Sequence, residues 1–244
     1  MYLKEIKSIY NLEKVIRVDN LSNDILIRKV VLDNQKYLEI SEEQVVVFYE
    51  NGKIIDVVYK KGIYEISEGD TYRDLILWNF EIQKAEENES GFLFINLAEI
   101  VNNKFFIRNP ITYTDWSYEE EPFESKVKLE GVFNFKIVAP EKFLRIVIGL
   151  RENYSKPELL EQIRIYILKS IEEGIKELSE KFKIDINTLV NKAEEINVKV
   201  SQNEYDAKLL SKGIKVTYFD IKNVDTDDNT KKLLELEEKY NDIK

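Results

Sequence analysis

Residues 126–149, KVKLEGVFNFKIVAPEKFLRIVIG, change their period halfway through. Val127, Leu129, Phe133, Phe135 and Ile137 share one parity, and Lys128, Glu130, Asn134 and Lys136 take the other. Successive side chains of a strand point to opposite faces of a sheet, so this alternation predicts a half-buried strand. Val138-Ala139-Pro140 ends it, because the residue before proline is driven toward extended geometry. Pro140 suits the first turn of a helix, where its missing N–H costs nothing. Phe143, Leu144, Val147 and Ile148 then form the apolar face of a short helix that Gly149 is placed to close.

C-terminal to this turn the period becomes helical. Ser155-Lys156-Pro157-Glu158 fits a capping box, with hydroxyl and carboxylate meeting opposite free N–H groups. Leu160, Ile163, Ile167, Ile171, Ile175, Leu178 and Phe182 follow at steps of three and four, predicting one long amphipathic helix that ends near Lys183. Gly174 inside it suggests close packing on a sheet. Asp185 can cap a less regular helical region with Leu189, Ala193, Ile196, Val200, Ala207 and Leu210 inward. Gly213 closes that region, Ile214–Ile221 reads as a strand, and a charged helix follows over 229–240.

On the N-terminal side the signals are those of β structure. Residues 1–40 are mixed, with β-branched runs at Ile25-Leu26-Ile27 and Val30-Val31-Leu32. Ile40–Tyr59 is the clearest hairpin, because Asn51-Gly52 lies between two β-rich runs and both turn positions need positive φ. Gly62 leads into a third strand, Ile63–Ile66, and further strands are expected at Leu75–Trp78, Phe92–Ile95 and Phe105–Ile107. Gln83–Ser90 and Tyr113–Ser125 read as polar loops; the second carries Trp116 and the acidic residues Glu119, Glu120, Glu121 and Glu124.

Composition narrows the chemistry. A chain of 244 residues can bury a sizeable core, and 12 Phe and 14 Tyr among regularly spaced aliphatics speak for packing rather than disorder. Lys and Arg number 36 against 46 Asp and Glu, a net charge of −10 that disfavours nucleic acid and direct adsorption to anionic lipid. The pairs Lys60-Lys61 and Lys181/Lys183 are too small to reverse this. There is no cysteine and no histidine, which excludes disulfides and removes thiolate and imidazole chemistry, whether nucleophilic or zinc-binding. Gly-rich phosphate loops are missing too. The longest apolar runs, Val45–Tyr49 and Ile146–Leu150, fall far short of the roughly 20 residues of a membrane span.

The strand running through Ala139-Pro140-Glu141-Lys142-Phe143-Leu144 into a helix resembles the Val-x-Asp/Ala-Pro-x-x-Phe turn of the SPFH/Band 7 superfamily of stomatin, prohibitin and flotillin. Asp19-Asn20-Leu21-Ser22-Asn23-Asp24-Ile25-Leu26 resembles the opening of a soluble bacterial branch of that superfamily, described as virion core protein-like. Ser41–Tyr64 is similar to the same branch's hairpin, with Lys61 where proline is usual. The helix from Pro157 and the strand Gly213–Val224 complete the order, so the resemblance spans roughly residues 10–225. The cysteine-bearing zinc ribbon common in that branch and the long C-terminal coiled coil of many SPFH proteins have no counterpart here; Leu233, Leu234 and Leu236 support only a short helix.

The resemblance implies an α+β fold: an N-terminal antiparallel β region, a mixed sheet packed by two helices, and a short C-terminal helix. Residues 1–40 would be an extension joining the β region, 41–225 the SPFH-like domain with a β-rich half (41–125) and an α/β half (126–225), and 226–244 the terminal helix. It implies a non-enzymatic scaffold or adaptor without cofactors or metals. Such a protein would be cytoplasmic, recruited by integral membrane proteins to the inner face of a membrane that it touches indirectly, with a role in envelope stress and with homo-oligomers among its partners. The alternative is an interaction module acting away from membranes.

Two places suit an interaction surface. Val45, Val47, Ile54, Ile55 and Val57 either present an apolar hairpin to a partner or cover their own sheet. Trp116, Tyr118 and Phe123 either form an aromatic recognition tip or fold back on the sheet. Glu119–Glu121 reads as a solvated acidic run and Asp225, Asp227 and Asp228 as helix caps, since a calcium loop's Gly and distal Glu are missing.

Overall fold

A computed structural model of the chain describes residues 2–6, 15–18, 25–33, 36–51, 53–67, 89–116, 122–147, 153–190, 193–202, 205–226 and 228–241. The fold is α+β. Its contacts divide into two compact units, the first made of Met1–Glu99, Lys136–Leu160 and Leu210–Lys215, the second of Ile100–Phe135, Glu161–Leu209 and Val216–Lys244.

The N-terminal strands of the first unit are β1 (Tyr2–Ile6), β2 (Val15–Arg17), β3 (Ile25–Val31), β4 (Tyr37–Ile40), β5 (Gln44–Glu50), β6 (Lys53–Val58), β7 (Gly62–Ser67) and β8 (Ser90–Asn96). They form one sheet in the order β1-β7-β4-β2 and contribute four strands to a second, in which β3, β8, β5 and β6 follow one another. Leu3, Leu38, Ile40 and Tyr64 of the first sheet share a buried cluster with Val46, Phe48, Phe92 and Phe94 of the second. The sequence leads to an antiparallel region, but β2 and β4 run parallel. Between them the chain crosses to the other sheet as β3, which supplies the crossover that a parallel pair needs.

Glu50 pairs with Lys53, as the expected hairpin requires; Asn51 takes a φ of 50°, and Gly52 lies outside the described residues. The strand expected at Leu75–Trp78 also falls outside them.

The chain continues through β9 (Ile100–Phe106), β10 (Ile111–Asp115) and β11 (Phe123–Ile137) to α1 (Pro140–Val147) and β12 (Asn153–Ser155). In the first unit, β12 pairs with β3, and the Ala-Pro turn is held by Gly213, whose carbonyl accepts the N–H groups of Val138 (2.8 Å) and Ala139 (3.2 Å). Gly213 has a φ of 77°, and a Cβ there would stand 2.2 Å from the Ala139 carbonyl oxygen. Only glycine fits that backbone and that space.

In the second unit, β9 and β10 pair in succession with one edge of β11, and β13 (Ile214–Thr226) lies on its other edge. The strand β10 replaces part of the loop expected over 113–125. Its five residues alternate buried and exposed or half-buried positions, a run too short to stand out beside polar neighbours. Helix α2 (Lys156–Glu180) buries Ile163, Ile167, Ile171, Ile175 and Leu178 as its spacing predicts, but in its first turn Leu159 is buried and Leu160, expected inward, is half-buried. Ser155 starts it, but its hydroxyl bonds the Glu158 carboxylate (3.0 Å), which also accepts the Ser155 N–H (3.1 Å). The long irregular helical region resolves into α3 (Ile186–Val190), α4 (Ala193–Gln202) and α5 (Tyr205–Ser211). Leu189 and Ile196 are buried as expected, whereas Ala207 and Leu210 are exposed and Leu209 of α5 is buried. Helix α6 (Asp228–Asn241) ends the described chain.

Candidate interaction surface

The hairpin residues singled out from the sequence divide sharply. Val45 and Val47 are fully buried and Ile54 is nearly so, while Ile55 and Val57 keep partial exposure. Strand β5 lies between β8 and β6, and both of its faces are covered: Val46 and Phe48 enter the cluster between the sheets, and Val45, Val47 and Tyr49 are buried on the opposite parity. Val45, Val47 and Ile54 are therefore core residues and are not offered to a partner.

Among the described strands, β6 stands at the edge of this sheet. There Asp56 is buried, its carboxylate accepts the Val57 N–H at 2.8 Å, and the β5–β6 register shifts between Phe48 and Tyr49. A buried charge and a bulge at a sheet edge oppose the docking of another strand. Behind this hairpin, Glu89 accepts the Tyr49 hydroxyl at 2.5 Å and pairs with Lys29 at 2.5 Å, so both charges are matched in a largely buried setting.

The second set belongs to the β10–β11 hairpin, where Tyr113 faces Ser125 and Asp115 faces Phe123. Trp116 and Phe123 are half-buried at the end where its two strands are joined; Tyr118 and Glu119–Glu121 lie outside the described residues. Lys183 places its Nζ 4.6 Å from the centre of the Trp116 ring, a cation–π contact worth about 0.5–1 kcal/mol. The Trp116 indole N–H is buried without a hydrogen-bond partner among the described residues. Trp116 thus leans on the end of α2 rather than projecting as a tip.

Around it, the Tyr113 hydroxyl donates to the Ile184 carbonyl and the Ser179 hydroxyl donates to the Thr114 carbonyl at 2.7 Å. Burial, reinforced by Asp115 and Asp185, pushes the Tyr113 phenol well above its ordinary range, so it remains a donor. Asp185 caps α3 by accepting the Thr188 N–H (2.8 Å) and hydroxyl (2.6 Å). Burial alone would raise its pKa, but these hydrogen bonds outweigh it and hold the carboxyl below its usual value.

The acidic residues ahead of α6 are also engaged. Asp225 is still within β13, which runs five residues past the expected end at Ile221; its carboxylate accepts the Thr226 N–H at 2.9 Å and pairs with Lys231 at 2.9 Å. The Lys231 hydrogen bond holds it below the ordinary carboxylate range. Asp228 opens α6 and Asp227 lies outside the described residues. Among the described residues no three acidic side chains gather as a metal would require.

Sequence reasoning missed a different surface. Phe182 continues the apolar spacing of α2 and was expected inward, yet it is 53% exposed. The helix ends at Glu180, and Lys183 takes a φ of 48° with its N–H on the Ser179 carbonyl (3.0 Å), a left-handed stop that turns Phe182 out of the stripe. Beside it, Val198 of α4 is 52% exposed. Together with Leu178 and Ile184 they line a groove of about 380 Å³, with Glu194 and Glu195 at its rim. The available signal was the Asp185 cap three residues after Phe182, which leaves α2 no room to continue.

A protein-family model described as SPFH domain-Band 7 family matches residues 29–241. No curated protein sequence matches the chain.

Proposed function

The chain belongs to the SPFH domain-Band 7 family, and on that premise we propose that it is a non-enzymatic scaffold or adaptor held at the cytoplasmic face of a membrane by integral membrane proteins. The family is one of membrane-associated, scaffold-type proteins whose members commonly oligomerise. The observation that carries the reading is the match over residues 29–241, nearly the whole described chain.

Charge supports recruitment by protein rather than lipid. A net charge of −10 is repelled by anionic headgroups, and no described helix is long and apolar enough to cross a bilayer. On this reading the chain is held at the membrane through a partner. The lack of histidine and cysteine removes the commonest nucleophiles and general bases, in keeping with a binding role. The resemblance of residues 19–26 and 41–64 to the virion core protein-like branch extends the reading to envelope stress. Ile55, Val57, Trp116 and Phe123, each partly exposed, remain the members of the two sequence-derived surfaces available for contact.

A tagged pull-down from detergent-solubilised membranes, run beside the soluble fraction, tests this. Enrichment of an integral membrane protein from the membrane fraction alone is the expected result. Recovery of soluble partners only would replace the recruited scaffold with an interaction module acting away from membranes.

A further inference from the structure

The groove at the C-terminal end of α2 identifies the kind of segment this protein holds. Leu178 and Ile184 sit deepest in it, and Phe182 and Val198 flank them with about half their surface open to solvent. Two large apolar side chains left open side by side over a buried Leu178 form an anchor site of the kind that amphipathic segments fill.

The electrostatics select the occupant. Glu194 and Glu195 stand at the rim, both exposed. Acidic residues in the first turn of α4 also serve that helix's own dipole. That role does not account for the open apolar pair beside them.

We propose that this groove seats an apolar segment bordered by Lys or Arg, with its aliphatic side chains between Phe182 and Val198 and its cation against Glu194 and Glu195. Segments of that composition border the cytoplasmic ends of membrane-spanning helices, where Lys and Arg are in excess. In assigning the occupant to a membrane protein, the inference rests on the recruited-scaffold reading; the groove's preference for an apolar-basic segment does not.

The test is fluorescence anisotropy with two labelled synthetic peptides of helical periodicity, one built of Leu and Lys and the other of Leu and Glu. The Leu/Lys peptide is expected to bind the full chain and the Leu/Glu peptide to bind at least about tenfold more weakly. Val198→Asp and Phe182→Ser, at half-exposed positions, should each weaken the Leu/Lys peptide by about tenfold with the thermal midpoint retained. The double substitution Glu194→Lys, Glu195→Lys should reverse the preference. Equal binding of both peptides, binding that ignores these substitutions, or a groove occupied instead by a second copy of the chain, seen as self-association abolished by Val198→Asp, would overturn the proposal.

Membrane pull-down with the Val198→Asp variant separates the two readings. Loss of a membrane partner that the unsubstituted chain retains supports both. Retention of it overturns the groove as the recruiting site and leaves recruitment standing. If the unsubstituted chain captures no membrane protein while groove-dependent peptide binding persists, recruitment fails and the groove's chemistry stands.

Discussion

Strand β5 is buried at every position from Gln44 to Tyr49, whereas β11 is buried only at alternate positions from Ser125 to Phe133. The first strand is covered on both faces; the second has one face against its core and the other presenting Lys126, Lys128 and Glu130. In the sequence the two look unequal in the opposite sense. The run QVVVFYE suggests an exposed sticky surface, while the alternation in KVKLEGVFNF announces a strand with one wet face. A continuous apolar run is the mark of a strand packed on both sides, and the apolar residues most suggestive of a partner are those the fold has already used.

The sharpest way to break this comparison is a charge on each parity of β5. Val46→Asp and Val47→Asp should each cost about 4 kcal/mol or more in urea unfolding, because each leaves an unpaired carboxylate in a dry core. If Val47→Asp proves tolerable, that face of β5 is open and the hairpin returns as a docking surface.

A smaller effect probes the close approach of strands in the second unit. A Cβ on Gly131 would stand 2.3 Å from the Asp220 carbonyl oxygen and 2.7 Å from the Phe105 ring, which stacks on Phe219 with ring centres 5.3 Å apart. Backbone cannot yield as a flexible side chain does, so Gly131→Ala should lower stability by about 2–3 kcal/mol in the same assay. An unchanged midpoint would mean that β13 does not pack this closely on β11.

Smaller again is the cap of α3. Asp185→Ala should cost about 1 kcal/mol. The folded carboxyl has the lower pKa, so the native state binds its proton less readily than the unfolded chain. The cap's contribution is therefore present above the unfolded value of about 3.9 and is lost as pH falls through the folded value. The difference between the two proteins, measured by thermal unfolding between pH 7 and pH 3, should shrink toward acid; a difference independent of pH would place the stabilisation elsewhere. At the small end, Lys126→Thr on the wet face of β11 should change stability by no more than about 0.5 kcal/mol.

Much of the fold was legible. The strand-to-helix turn at Ala139-Pro140, the Asn51-Gly52 hairpin and the five buried positions of α2 rest on local rules of period, proline and turn geometry, and each is present. What escaped depends on distant partners. The parallel pairing of β2 with β4 needs β3 in another sheet, and β10 needs β11 as its template. The candidate surface was the least legible, because spacing states which residues are apolar but not how many faces of a strand are covered.

Phe182 condenses the distinction. Its apolar character and its place in the three-and-four spacing of α2 are local facts, and they put it inside. The left-handed turn at Lys183, the cap at Asp185 and the return of α4 past the helix end put it outside, beside Val198. The sequence by itself determined the family, the periods of the elements and a strongly acidic surface, because these depend on neighbours a few residues apart or on composition. Only the tertiary structure decided which apolar residues stay open, because burial is a property of what packs against a side chain from elsewhere in the chain.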